Sequence, residues 1–131
     1  MTVLVVDDNR MNVIVATTAL QRLGHAFETV TSGEAAVAAC STKAYDAILM
    51  DLMMPGLDGY QATSLIRAAE ASTGRHTPII GFSARDMAGD RESALAAGLD
   101  DYLTKPIRTE VFNETLRRWL SGDPAGTDDE T

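Results

Sequence analysis

Five side chains suited to metal and phosphate chemistry lie where predicted strands end: Asp7, Asp8, Asp51, Ser83 and Lys105. The preceding segments are short and mostly apolar, as expected for strands that are buried on both faces. In an open α/β sheet, ligands bind outside the carboxyl ends of the strands. The sequence therefore predicts a cluster of three carboxylates, a hydroxyl and an ammonium at one sheet edge. Taken alone, Asp51 could equally cap a helix or simply end its strand.

The chemistry of this cluster follows from its charge. Two carboxylates about 4 Å apart repel by roughly 4 kcal/mol at an effective dielectric of 20, and Lys105 brings only one positive charge. A divalent cation with oxygen ligands would hold the cluster together. A site with few protein carboxylates, in which water supplies the remaining ligands, suits Mg²⁺ better than Ca²⁺. The sequence also lacks the acidic loop of about twelve residues that would indicate a calcium site.

A phosphoryl group would give each of these residue types a role. The Asp51 carboxylate could act as a nucleophile and form an acyl phosphate once the charge on the phosphoryl oxygens is neutralised. Mg²⁺, the Lys105 ammonium and the Ser83 hydroxyl could each take one of those oxygens. A buried ion cluster that only ties strand ends together would explain Lys105 with one aspartate, but not three aspartates and a hydroxyl.

The elements that must position these side chains alternate strictly between strand and helix. Strands are predicted at 3–6, 27–30, 47–50, 78–82 and 102–104, and helices at 10–23, from the capping sequences 31–34 and 58–61, at 91–97 and from Thr109. Such alternation implies an α/β fold with one parallel sheet and helices on both faces. Gly81 interrupts the fourth strand without an evident reason.

The predicted helices have apolar residues at roughly helical spacing, which we expect to face the sheet. These are Met11, Ile14, Leu20 and Leu23 in the first helix, Leu65 and Ile66 in the third, and Val111, Phe112, Leu116, Trp119 and Leu120 in the last. Cys40 is expected to be a small core residue, and His25 and His76 are expected to lie solvated in connections.

Composition limits the classes of function. The 131 residues carry a net charge of −8, and four of the negative charges lie in a tail without basic residues. We predict one domain over residues 1–120, a disordered acidic tail over 121–131, and no nucleic-acid binding. One cysteine and two histidines exclude a Cys/His metal site. Neither a membrane span nor a signal peptide is indicated, so the predicted location is cytoplasmic.

Taken together, four segments resemble the receiver domains of two-component response regulators: Val5–Asn9, Met50–Gly59, Phe82–Ala84 and Ala97–Pro106. The resemblance extends from Val3 to about Leu120. It implies a flavodoxin-like (βα)5 fold with the strand order 2-1-3-4-5.

The resemblance also implies residue roles. Asp51 would be the phosphoacceptor. Asp8, Asp51 and the backbone carbonyl of Met53 would bind Mg²⁺, and Asp7 would hold a metal-bound water. Lys105 would pair with the phosphoryl group or with Asp51.

A conformational switch is a further implication of the family. Ser83 would move towards the phosphoryl group, and Tyr102 would turn inward in response, although Tyr102 could also be an ordinary strand aromatic. The change would alter the face formed by the fourth helix, fifth strand and fifth helix, where an output protein could bind. Two variable positions, Met53 and Arg85, would tune the phosphoryl lifetime. Met53 cannot orient an attacking water, so slow hydrolysis is expected.

The implied partner is a sensor histidine kinase or a histidine phosphotransfer domain. The segments 71–77 and 87–92, with Asn9 and Asn12, resemble receivers of hybrid kinases, but Met1 lies close to the first strand. Both a stand-alone regulator and a piece of a hybrid kinase therefore remain open. The main alternative is a receiver-like scaffold that acts without phosphorylation. A Mg²⁺-dependent aspartyl phosphatase and a Rossmann enzyme are disfavoured because their characteristic motifs are absent.

Overall fold

The computed structural model describes residues 2–52, 56–83, 90–104 and 109–120. Five parallel strands form one sheet in the order β2-β1-β3-β4-β5, which confirms the predicted fold class. In chain order the elements are β1 Thr2–Val6, α1 Arg10–Arg22, β2 Ala26–Val30, α2 Gly33–Thr42, β3 Ala47–Asp51, α3 Gly59–Glu70, β4 Ile79–Ser83, α4 Asp90–Ala96, β5 Asp101–Thr104 and α5 Thr109–Leu120. Most of these bounds differ by one residue from those predicted.

Two apolar clusters pack on opposite faces of the sheet. On one face, Leu4 and Val6 of β1 belong to the cluster that contains residues of α2, α3 and α4. On the other face, Val3 and Val5 join residues of α1 and α5. All five residues of β3 and of β4 are buried, as a strand covered by helices on both faces must be. The ends of β3 and β4, which carry Asp51 and Ser83, therefore lie in the buried centre of the sheet.

The predicted cap of α2 was displaced by one residue. Ser32, not Thr31, caps this helix, and its hydroxyl accepts a hydrogen bond from the Ala35 N–H at 3.1 Å. The helix begins at Gly33, where an added Cβ would lie 2.3 Å from the Leu57 carbonyl oxygen. The glycine is thus required at the helix start by close packing of the β3–α3 connection, a contact distant in sequence.

The capping pair predicted for α3 is confirmed. The Asp58 carboxylate accepts from the Gln61 N–H at 2.9 Å, and the Gln61 side chain accepts from the Asp58 N–H at 3.0 Å. The two hydrogen bonds form a reciprocal capping box. This cap fixes the start of α3 a few residues after Asp51.

The predicted apolar faces were partly wrong. Buried positions include Leu20, Ile66, Phe112 and Leu116, as expected. Four others are exposed on the surface: Met11 (68%), Ile14 (48%), Leu65 (48%) and Val111 (45%). In α1 the contact with the sheet is made by Ala16, Ala19 and Leu20, so the small alanines bring the helix close and leave the earlier large residues outside.

Candidate functional site

Three carboxylates meet at the carboxyl edge of the sheet. Asp7 and Asp8 follow β1, and Asp51 is the last residue of β3, the neighbouring strand in which Met50 pairs with Val6. One carboxylate oxygen from each aspartate lies within 4.8 Å of the others. Asp7 and Asp51 are buried, with 5% and 2% of their surface exposed, whereas Asp8 is exposed. The three carboxylates predicted at the strand ends therefore lie close together, and their cluster opens to solvent on the side of Asp8.

The loop after β1 is held by hydrogen bonds to its own backbone. The Asp7 carboxylate accepts from the Asn9 N–H at 2.8 Å. The Asn9 side-chain oxygen in turn accepts from the N–H groups of Met11 (2.9 Å) and Asn12 (3.2 Å), which caps α1. These bonds place Asp7, Asp8 and the first turn of α1 in one fixed arrangement.

The backbone around Asp51 is equally constrained. The N–H of Leu52 donates to the Phe82 carbonyl of β4 at 2.8 Å, so the sheet pairing continues past the aspartate. Gly59 begins α3 directly against this segment, because an added Cβ there would lie 2.4 Å from the Asp51 carbonyl oxygen. Both contacts keep the end of β3, and with it the Asp51 side chain, in place.

The two predicted switch residues lie on the next strands of the sheet. Ser83 ends β4, one residue past the position that pairs with Asp51, and it is buried. Tyr102 of β5 is also buried and pairs with Gly81 of β4. A Cβ on Gly81 would lie 3.0 Å from a Leu52 methyl and 3.1 Å from a Leu99 methyl. This close packing explains why a glycine is present in the interior of β4.

Three predicted site residues cannot be placed in this geometry. Met53, Arg85 and Lys105 lie outside the described ranges, and so does the predicted tail at 121–131. The aspartate cluster and Ser83 are the predicted site residues that the structure locates at the carboxyl edge, with Tyr102 behind them in the core.

The donor set fits a small, hard cation. Octahedral Mg²⁺ binds oxygen at about 2.1 Å, so its ligand atoms lie roughly 3 to 4 Å apart. The three aspartate oxygens lie within 4.8 Å of one another, close to that spacing. Oxygen donors alone exclude the softer metals that prefer thiolate or imidazole. The same side chains that repel one another in the absence of a cation thus provide its ligands.

Sequence reasoning missed an exposed apolar patch beside this cluster. Met11, Ile14 and Val15 of α1 are 68%, 48% and 41% exposed, and the helix that carries them starts two residues after Asp8. The spacing of Met11 and Ile14 with Leu20 and Leu23 had predicted a core-facing stripe. The alanines at 16 and 19 were the signal that a different face packs on the sheet.

Comparison with known proteins shows the class of this protein. The response regulator receiver domain family matches residues 3–117, and the chain belongs to that family. Its domains are phosphoacceptors of two-component systems and phosphorelays. The sensor protein GacS of Pseudomonas syringae pv. syringae is 43% identical over 118 residues, which are 89% of this chain and 13% of that protein. The chain thus spans about an eighth of the length of this relative.

Two solved structures are similar in fold. The receiver domain of the sensor histidine kinase PA1611 from Pseudomonas aeruginosa PAO1, with magnesium in its active-site cleft, has a TM-score of 0.82 and 43% identity and covers 92% of this chain and 98% of that one. The receiver domain of Ssk1, in complex with the Saccharomyces cerevisiae histidine phosphotransfer protein Ypd1, has a TM-score of 0.83 and 28% identity over 91% and 88%. Among the residues described here, no helix has the length and apolarity needed to span a membrane.

Proposed function

We propose that Asp51 accepts a phosphoryl group from a phosphohistidine. The observation that carries this assignment is the placement of the buried Asp51 carboxylate within metal-ligand distance of Asp7 and Asp8. A structural aspartate would not need two further carboxylates beside it, since each adds repulsion. The family of the chain supplies the reaction class, and the position of Asp51 at the end of β3, beside two further carboxylates, supports this residue as the acceptor.

The transfer is a substitution at phosphorus. A carboxylate oxygen of Asp51 forms the new P–O bond while the P–N bond to the donor imidazole breaks, and the imidazole nitrogen keeps the electron pair and ends protonated or neutral according to pH. Because β3 and the capped start of α3 fix the Asp51 backbone, the nucleophile is positioned before the donor arrives. Lys105 and Ser83 are proposed to contact the phosphoryl oxygens.

Mg²⁺ is the proposed cofactor, with Asp7, Asp8, Asp51 and the Met53 carbonyl as the residues that would hold it or its water. When bound, the ion neutralises charge on the transferring group. The three aspartates contribute only oxygen, which fits this ion, and the similar domain of PA1611 is described with magnesium in its cleft.

Removing one metal ligand should greatly reduce stabilisation by Mg²⁺. At a magnesium concentration ten times the dissociation constant, binding to the folded state adds about 1.4 kcal/mol, or a rise of roughly 5 °C in Tm. Asp8→Asn is expected to lose most of this rise, because it replaces a charged ligand and is exposed enough to be tolerated. Thermal unfolding of both proteins with and without MgCl₂ measures this rise in Tm.

The control for this experiment is Glu92→Gln, which removes one exposed carboxylate from α4. It should retain the full rise in Tm. Equal stabilisation of the wild type and Asp8→Asn would remove Asp8 from the metal site.

The phosphodonor is proposed to dock on the α1 patch formed by Met11, Ile14 and Val15. The patch is apolar, exposed and adjacent to the aspartate cluster, so a donor resting on it could bring a phosphohistidine to Asp51. The similar Ssk1 receiver forms a complex with a histidine phosphotransfer protein, which supports a partner of this kind.

Ile14→Ser tests this surface. We expect it to lower kcat/KM for transfer from a histidine-phosphorylated phosphotransfer protein by about tenfold, since apolar area is lost from the interface. Phosphorylation by acetyl phosphate, which needs no protein surface, should be unchanged. Leu65→Ser, an equally exposed residue on the opposite face of the sheet, is the matched control. Parallel losses with both donors would instead indicate damage to the site.

The remaining parts of the proposal concern events after transfer. Ser83 and Tyr102 are proposed to relay phosphorylation to the face of α4, β5 and α5, where an output protein would bind, and Met53 and Arg85 to tune the lifetime. The chain would exchange phosphoryl groups with a sensor kinase or a phosphotransfer domain in the cytoplasm, where kinases find ATP. We propose a single receiver domain over residues 1–120, followed by a disordered acidic tail over 121–131.

A further inference from the structure

A cleft of about 470 Å³ lies between α2 and α3, at the end of the sheet opposite the aspartate cluster. Its walls come from the last turns of the two helices and from the connections that precede β3 and β4, and include Tyr45 and Thr77. This volume is within the range of small-molecule sites. Since phosphorylation is proposed at the other edge, the cleft is outside the machinery discussed above.

The inner wall of the cleft is apolar. Val37 and Cys40 of α2 and Ile66 of α3 line it, together with the ring of Tyr45. The two ionisable side chains of this wall, Cys40 and Tyr45, stay neutral near pH 7. Burial, with the nearby Glu70 charge, raises the pKa of the Cys40 thiol to about 11, and burial, with a hydrogen bond to Glu28, raises the pKa of Tyr45 to about 12. An apolar ligand body would therefore meet no negative charge on this wall.

The charged residues of the cleft favour an anion. Lys43, Arg75 and Glu70 line it, so cations outnumber carboxylates. The Glu70 carboxylate is already bound by Arg67 at 2.5 Å and by the Thr77 N–H at 2.7 Å. Lys43 pairs with Glu28. Within the part of the chain that the structure describes, the Arg75 side chain has no ion-pair or hydrogen-bond partner, so it can meet an incoming anion.

We infer that this cleft binds a small molecule with an apolar body and one anionic group, held by Arg75. This site is independent of the proposed phosphoryl transfer. Because the chain as a whole has a net charge of −8, an anion is attracted only where cations are concentrated locally.

The test uses 1-anilinonaphthalene-8-sulfonate and its uncharged analogue N-phenyl-1-naphthylamine, which differ by the sulfonate. Fluorescence titration of the full chain should show one sulfonate probe per chain, with a dissociation constant of roughly 10 to 100 µM and weaker binding of the neutral probe. Arg75→Ser should weaken binding of the sulfonate probe by about two- to fivefold, as expected for the loss of one exposed ion pair. Binding of the neutral probe should hardly change. Arg22→Ser, an exposed cation on α1, should change neither.

Two neighbouring alanines locate the bound probe. Both are exposed on α3, but only Ala69 lines the cleft, so Ala69→Trp should abolish binding and Ala68→Trp should leave it intact. Cys40, the single cysteine, provides a measurement in the wild-type protein. Bound probe should slow its modification by methyl methanethiosulfonate in proportion to occupancy.

Three results would overturn the inference. The first is equal binding by the two tryptophan variants, and the second is no effect of Arg75→Ser on the sulfonate probe. The third is an unchanged Cys40 modification rate at saturating probe. A probe that binds the exposed α1 patch instead would give all three.

Discussion

Asp51→Asn is expected to abolish phosphorylation of the chain. Wild-type protein incubated with Mg²⁺ and acetyl phosphate should gain a single phosphoryl mass, detected by intact-mass analysis, and the variant should gain none. The amide that replaces the carboxylate cannot form the acyl phosphate, while its size and shape are nearly unchanged. Omitting Mg²⁺ from the wild-type reaction should also prevent the gain, because the charge on the phosphoryl oxygens is then not neutralised.

The matched control is Asp46→Asn. Asp46 directly precedes β3, whereas Asp51 ends it, so the two substitutions change the same residue type at opposite ends of one strand. Asp46 is exposed, and its carboxylate accepts a hydrogen bond from the Thr2 N–H at 2.7 Å. Phosphorylation of Asp46→Asn should therefore equal that of the wild type.

Other outcomes would change the interpretation. A phosphoryl adduct on Asp51→Asn would move the acceptor to another residue. If neither acetyl phosphate nor a phosphotransfer protein labelled the wild type, the scaffold alternative would replace the proposed function. When the adduct forms, its decay tests the expectation that Met53 and Arg85 favour slow hydrolysis.

Arg67→Met should cause a large loss of stability without altering the proposed site. The Arg67 guanidinium binds the carboxylates of Glu70 (2.5 Å) and Asp100 (2.6 Å) and the carbonyl oxygens of Thr77 (2.8 Å) and Gly98 (2.9 Å). The three charged side chains are only 13% to 17% exposed. Methionine keeps the apolar stem but leaves both carboxylates and both carbonyls without this donor.

The expected loss is about 3 kcal/mol in the free energy of unfolding, because removing one partner of a buried ion pair leaves uncompensated charge. In a domain of this size that corresponds to a fall in Tm of roughly 10 °C. Arg22→Met, an exposed arginine of α1, should change the free energy by less than about 0.5 kcal/mol. Arg67→Lys should recover only part of the loss, since one ammonium cannot replace the planar fork.

The same network gives a pH dependence with a defined sign. Burial alone would raise the pKa of Glu70, but the Thr77 N–H and Arg67 outweigh it and lower the pKa below the ordinary value of 4.5. The resulting stability is present above pH 4.5 and is lost as pH falls through the lowered pKa. The loss on acidification should be smaller in Arg67→Met. An equal loss in both proteins would show that other carboxylates dominate acid unfolding.

Local sequence determined the order of elements and the chemistry of the strand ends. Apolar runs, capping residues and glycines after helices are signals that act over a few residues, and they were sufficient to predict ten alternating elements. Parallel pairing then placed Asp7, Asp8 and Asp51 at one edge without any further information. The Asp58–Gln61 capping box was predictable for the same reason.

Tertiary structure decided what depends on contacts between distant segments. The rotation of α1, and hence the exposure of Met11 and Ile14, follows from how closely Ala16 and Ala19 approach the sheet. Gly33 starts α2 because the Leu57 carbonyl occupies the space of a side chain, and Gly81 accommodates Leu52 and Leu99. The spacing of hydrophobic residues shows that one face of a helix is apolar, but it does not show which element covers that face. Burial depends on two contacting surfaces, and the sequence of one helix describes only one of them.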